Sequence, residues 1–318
     1  MAIDPIDLRD LRTTSLSSRK SKVHLSDFGA PWQCGGTLRD FLKKLPSILA
    51  AADFNELAER IACARKAGKS ILLAMGAHPI KVGLNPVIVD LMEHGFISGL
   101  AMNGAGIIHD SEVAMAGKTS EDVGAVLGEG GFGMAEETAT LINTAVESGT
   151  DEGMGLGAAV GHAILRKNLP YKDVSILAAG ARLGIPVTVH VAIGTDIVHM
   201  HPSFRPDRTG AASHLDFRIF ARLVSQLEGG VLINLGSAVI LPEVFLKALS
   251  LVRNLGHQVS HFTTANMDFV RHYRPITNVV QRPTQEGGKG FHLTGHHEIM
   301  FPLLAAAILE ASCDPSIG

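Results

Sequence analysis

The chain has 318 residues, 46% hydrophobic and only 19% charged, with 28 Lys and Arg against 31 Asp and Glu for a net charge of -3. Binding a phosphate backbone needs clustered Lys and Arg, and no basic block is present, so nucleic acid is not an expected partner. Cys34, Cys63 and Cys313 are scattered and lack CxxC spacing, which argues against a disulfide framework or thiolate metal site and for a reducing cytoplasm.

In chain order, residues 1–30 are polar and read as an arm ordered only against another subunit, or not at all. The opening MAIDPIDLRD has no positive stretch followed by an apolar run, so no signal peptide is expected, and no later run is long enough to span a membrane. Residues 37–66 read as two helices, with Thr37 and Asp53 as N-caps and Gly68 as terminator. Residues 1–68 are therefore an arm and helices packing on a core domain of residues 69–318. That domain opens with an apolar strand, Ser70 to Met75, broken by Gly76-Ala77-His78-Pro79. A helix begins at Asn85-Pro86 and closes at Gly95; a second strand, Phe96 to Met102, ends in Asn103-Gly104-Ala105-Gly106. This is a βαβ unit whose two loops fall at strand ends, where open parallel sheets bind ligands.

The Gly- and acid-rich residues 116–161 hold a helix over Ala135 to Glu147 and lack the GK[ST] ending of a P-loop. Residues 158–184 are helical with a break at Leu169-Pro170. VTVHVAIGT is a strand, His214 to Leu227 a helix, VLINLGSAV a strand and loop, and a helix runs from Pro242 to a stop at Gly256. QVSHFTTANM reads as strand and loop, Thr277 to Gln281 as a short strand, and residues 282–299 as a loop before a final helix, Phe301 to Ser312. Strands alternating with helices predict an α/β fold: a doubly wound, mainly parallel, Rossmann-like sheet with an N-terminal helical extension. The apolar balance suits a sheet covered on both faces, or a large oligomer interface.

The residues just past the predicted strands are Gly76-Ala77-His78, Asn103-Gly104-Ala105-Gly106, Gly194-Thr195-Asp196, Gly236-Ser237-Ala238 and Thr263-Thr264-Ala265-Asn266. Small, hydroxyl and amide residues there suit close backbone approach to a dinucleotide. Histidines pair with acids at His109-Asp110, at Asp196, His199 and His201, and at His296, His297 and Glu298. Such groups can serve as acid–base or substrate contacts, bind a metal, or form hydrogen bonds at subunit contacts. Lys289 is flanked by glycines; a lysine of lowered pKa can form an imine, whereas an ordinary loop lysine is solvated.

The order of these motifs resembles the deoxyhypusine synthase family, from about Gly76 to Glu310. GAHPIKVGLNPVIVDLMEHGFISGLAMNGAGIIHDSE is similar to that family's strand, TSN loop, helix, strand, TAGG turn and acid, with Asp110 or Glu112 at the acid. YKDVSILAAGARLGIPVTVHVAIGTDI resembles its helix–IPV–strand–DGSLGD segment, LINLGSAVILPEVFLKA its glycine turn, and Phe301-Pro302-Leu303-Leu304 its FPLL run. The resemblance implies NAD held by Ala77, His78, Asn103, Gly104, Ala105, Gly106, Asp196, Gly236, Ser237 and Ala238. It further implies Lys289 as imine-forming nucleophile with His199, His296 and Glu298 in catalysis, and Asp110, Glu112, His201 and His297 as substrate contacts. The implied reaction is an aminobutyl-type transfer from a small amine, of polyamine type, in a homotetramer or dimer with shared sites. The family's catalytic lysine follows a tryptophan and glycine, whereas here the loop before FPLL is shorter, and fewer acids with more imidazoles point to a different substrate, or a neutral or anionic one. Two alternatives stand beside it: a His/Asp metal-assisted hydrolase or lyase, and a non-catalytic NAD-binding protein.

Overall fold

A computed structural model describes residues 3–313. Residues 3–36 are extended, with one-turn 3-10 helices at Leu16–Ser18 and Leu25–Asp27, and nearly every side chain is exposed. Helix α1 (Leu38–Lys44) starts from a Thr37 capping box with Asp40. Helix α2 (Leu49–Lys66) buries Phe54, Leu57 and Ile61 at helical spacing, so it belongs to the core rather than to a detachable extension.

From there strands and helices alternate as β1 (Ile71–Met75), α3 (His78–Lys81), α4 (Asn85–Glu93), β2 (Gly99–Asn103), α5 (Gly104–Ala116), α6 (Val123–Val126), α7 (Glu136–Asp151), α8 (Leu156–Arg166), α9 (Ile176–Leu183) and β3 (Val187–His190). The second half is α10 (Pro206–Val224), β4 (Val231–Leu235), α11 (Ile240–Asn254), β5 (Thr263–Asp268), α12 (Tyr273–Pro275), β6 (Lys289–Thr294) and α13 (His297–Ser312). All strand pairs are parallel, in the order β3-β2-β1-β4-β5-β6. The strand order reverses between β1 and β4, and ligands of such sheets bind outside the carboxyl ends at that point.

β1, β2, β3, β4 and β5 are covered on both faces; β1, β2 and β4 therefore read as largely apolar runs, whereas β3 and β5 bury polar residues as well. Ile71, Leu73 and Met75 join α2, α4, α5, α8 and α13 on one face; Leu72 and Ala74 join α10 and α11 on the other. Full burial of each such Leu, Ile or Phe side chain contributes about 1.5–3 kcal/mol. Among the described residues no helix is long and apolar enough to cross a membrane.

Three expectations are corrected. Residues 289–294, read as loop, form β6, an edge strand whose alternating burial and Lys, Gly and His content hide the β pattern. Thr277 to Gln281, read as strand, lies in a π-helical turn (Ile276–Gln281) that buries Val279 and ties Asn278 Nδ2 to Glu243 Oε1 at 2.8 Å. Thr263, Thr264, Ala265 and Asn266 lie within β5, not beyond it, which moves the end of that strand to Asp268.

Candidate active site

Beyond the carboxyl ends of β1 and β4 the ladder runs on for one more residue: Gly76 N–H donates to Leu235 O of β4 at 3.1 Å, and Gly236 N–H to Met267 O of β5 at 3.0 Å. A Cβ on Gly76 would stand 2.5 Å from Gly236 O, so both positions require glycine. The chain leaves β1 through Ala77 into α3, a single turn with Pro79 near its start. Residues three apart on a helical turn project from the same side, so α3 presents His78 and Lys81 together above this edge.

On the β2–β3 side lies a cavity of about 410 Å³, lined by Lys81, Ala105, Ile108, His109, Glu112, Glu121, Phe132 and Asp196, among others. Its size is that of a small-ligand site. Its floor is the start of α5, where the N-cap Asn103 Oδ1 accepts from Gly106 N–H at 3.0 Å. The N–H groups of Gly104 and Ala105, with the helix dipole behind them, remain oriented for an anion. The Asp196 side chain is 7% exposed, and its buried Oδ2 accepts no hydrogen bond. Burial pushes the Asp196 carboxyl up to about 6. On the opposite wall Thr119 donates to Glu112 Oε2, Thr138 donates to Glu112 Oε1 at 3.3 Å, and His109 Nδ1 lies 2.6 Å from Thr119 Oγ1. Because Thr119 spends its proton on Glu112, His109 must donate from Nδ1. Burial raises the Glu112 carboxyl, but hydrogen bonds from His109 and Thr119 outweigh it and hold the group below its ordinary value.

On the β4–β6 side the edge is filled by aromatic rings. His297 is fully buried against Gly236, whose Cβ would meet the imidazole Cε1 at 2.4 Å. His297 Nδ1 lies 2.8 Å from His78 Nδ1, and its Nε2 lies 3.7 Å from Asp268 Oδ1. The Phe269 ring contacts His78 at 5.1 Å and stacks on His296 at 6.1 Å.

The sequence-derived residues thus fall into groups. Asn103, Gly104, Ala105, Asp196 and Glu112 line or floor the cavity, with Gly106 at the floor's first helical turn, while Ala77, His78, Gly236, Ser237, His296, His297 and Glu298 gather at the ring cluster. His199 packs behind Asp196: its Nδ1 accepts from the N–H of Gly194 at 3.1 Å and of Asp196 at 3.3 Å, so it positions that loop. Several placements differ from the expected ones. Gly236 approaches a histidine rather than leaving room for a cofactor, and the buried Ser237 Oγ accepts from Leu241 N–H at 3.2 Å; Ala238 follows at the start of that connection. Asp110 is wholly buried and accepts from Asn85 Nδ2, Ser175 Oγ, Ile176 N–H and Leu177 N–H at 2.6–3.0 Å. It caps α9 and has no surface for a substrate. His201 is turned to Ser203, 2.8 Å away, outside the cavity lining.

Lys289 is the largest correction. It is the first residue of β6, at the amino edge of the sheet, paired with Glu56 and 44% exposed. Within one chain, a six-residue strand at about 3.3 Å per residue separates it from the carboxyl edge of the sheet by roughly 17 Å. Conversely, sequence reasoning did not single out Lys81 or Asp268. Lys81 lines the cavity and forms no ion pair among the described residues. Its signal was its position three residues after His78 in the turn that follows β1.

These features define a doubly wound Rossmann-like α/β protein with a cavity beside the crossover point of the sheet. No family model and no curated protein matches the chain. Among solved structures it is similar to a conserved protein of Methanococcus maripaludis S2 assigned to the LOR/SDH group, at TM-score 0.56 and 17% identity over 92% of this chain and 75% of that one. It is also similar to AgrE, whose structure was solved with ornithine and NAD+, at TM-score 0.54 and 17% identity over 81% of this chain; it spans only 33% of AgrE. An Entamoeba histolytica protein described as a deoxyhypusine synthase aligns at TM-score 0.48 and 11% identity, over 89% of this chain and 97% of that one, too loosely to carry an argument. Likeness at these identities shows the fold.

Proposed function

We propose that the chain is an NAD-dependent enzyme acting on a small molecule that carries an amine. The observation that carries this reading is Asp196, a buried carboxylate at the cavity with one oxygen unpartnered, set against the glycine turn that opens α5. A buried acceptor left without a donor costs about 1–3 kcal/mol, and a ligand hydroxyl would satisfy it. In this reading Asp196 takes a ribose hydroxyl and the N–H groups of Gly104 and Ala105 take a phosphate. NAD supplies, when bound, a reversible acceptor for hydride. Glu112 and Glu121 then face an ammonium group, and Lys81 a carboxylate or the amine's carbonyl product. AgrE, of the same fold, was solved with ornithine and NAD+, which supports both halves of the proposal.

Transfer through a lysine imine, the finer reading from the deoxyhypusine synthase resemblance, needs a lysine at this edge. Lys81 stands there and Lys289 does not. Borohydride reduction in the presence of NAD and a diamine, followed by peptide mass spectrometry, tests this: an adduct on Lys81 supports it and no adduct overturns it. Among the described residues no group of three or more His, Cys, Asp and Glu could hold a metal ion; the metal-assisted alternative predicts stoichiometric bound metal and loss of activity on chelation.

The cofactor reading is tested by melting with and without NAD; an upward shift that grows with NAD concentration is expected, and no shift at millimolar NAD overturns it. We also infer a homo-oligomer in the cytoplasm. The extended arm carries Ile3, Ile6, Leu8, Leu11 and Leu25 at more than two-thirds exposure, surface that a second subunit would cover. Its three cysteines are exposed and unlinked, as a reducing compartment keeps them.

A further inference from the structure

We propose that Asp268, His297 and His78 form a proton relay in which His78 Nε2 is held as a bare acceptor for a proton from bound ligand. The inference rests on the reading of the adjoining cavity as a ligand site, and it assigns roles to Asp268 and His297 as positioning residues.

The argument is one of proton placement. Two ring nitrogens 2.8 Å apart share a single proton, so one of His78 and His297 donates from Nδ1 and the other accepts. The choice is made on the far side of His297. Its Nε2 is buried, makes no hydrogen bond, and faces the Asp268 carboxylate at 3.7 Å. A lone pair turned toward a carboxylate in this nearly dry site would be repelled, whereas an N–H is attracted. His297 therefore carries its proton on Nε2, its Nδ1 accepts, and His78 donates from Nδ1. That leaves His78 Nε2 unprotonated, and among the described residues it makes no hydrogen bond.

Burial lowers the basicity of His297, while the Asp268 and Glu298 carboxylates oppose that effect and His78 adds to it. Burial therefore favours the neutral form of His297, and Asp268, only 3% exposed, faces that ring at 3.7 Å. The step moves one proton: a ligand O–H or N–H loses it, and the His78 imidazole becomes an imidazolium. His78 is half-buried and shares its helical turn with Lys81, which lines the cavity, so in this proposal the imidazole stands beside that cavity's rim. Gly236 is a condition of the arrangement, since any side chain there would displace His297.

Long-range proton–nitrogen NMR of the full chain at neutral pH, without NAD, reads the tautomers directly. The expected result is His297 protonated at Nε2 and His78 at Nδ1; a proton on His297 Nδ1 overturns the relay. In His297→Leu, His78 should shift toward the Nε2–H form of an unconstrained imidazole, and in His297→Gln the side-chain oxygen should restore the Nδ1–H form. A His78 tautomer unmoved by His297→Leu also overturns it. Because NAD is absent, these results stand apart from the melting test of cofactor binding.

Discussion

The carboxylate of Asp196 rests on the Cα of Gly104, so close that a methyl group there would stand 1.8 Å from Oδ2. No rotation of a short, 7%-exposed side chain can absorb that overlap. Gly104→Ala should expel Asp196 from its place, cost about 1–3 kcal/mol through overpacking, and abolish the NAD-dependent rise in melting temperature. Thermal denaturation of both proteins with and without NAD checks this. An alanine variant that still responds to NAD would separate the turn from cofactor binding.

Asp196 also predicts a pH dependence. Its folded pKa, about 6, lies above the ordinary 3.8, so the native state binds a proton more tightly than the unfolded chain. Stability contributed by this group is therefore full at low pH, declines as pH rises from about 4 to about 6, and is flat above. One pKa unit is about 1.4 kcal/mol, so the loss approaches about 3 kcal/mol. Asp196→Asn should remove that decline and be more stable than the parent at neutral pH, while weakening NAD binding. Denaturant midpoints across this range, for both proteins, measure it.

Burial raises the Asp110 carboxyl as it does that of Asp196, but Asp110 differs in that donors reach both of its oxygens. Asp110→Ala strands the Asn85 and Ser175 side chains and two N–H groups at the start of α9. A loss of about 3–5 kcal/mol is expected, as for breaking a buried charged network. Urea unfolding reads the magnitude. A stability change below about 1 kcal/mol would show that the network is dispensable.

Lys289→Ala should leave the NAD-dependent melting shift unchanged. The substitution removes an exposed pair with Glu56 worth about 0–1 kcal/mol. Loss of cofactor response in this variant would return Lys289 to the site, against its position at the far edge of the sheet.

The fold was legible where burial leaves a simple trace. Ile71–Met75 and Val231–Leu235 are buried on both faces and read as short apolar runs, while Gly95 and Gly184 follow their helices in the left-handed conformation. Legibility failed where tertiary packing outweighs local preference. Ile276, Thr277, Val279 and Val280 favour a strand by composition, yet they form a π-helical turn against α11. Part of the cavity's chemistry was visible too, because Gly104 and Asp196 each follow a strand. The Asp268–His297–His78 chain was not, since its members come from three strand ends separated by some 190 and 30 residues, and only the sheet order brings them together. Lys289 attracted notice through its flanking glycines, which pack against Phe262, Thr284 and Val280 rather than against a ligand.

The brevity of α3 has a mechanical corollary. Four residues with a proline among them have no hinge of their own, so His78 and Lys81 tilt as one piece. A tilt of this turn that brings the lysine inward also swings the imidazole on its bridge to His297. The shared hydrogen between the two rings therefore lengthens or tightens with occupancy, and its resonance frequency becomes a gauge of whether the neighbouring hollow is filled.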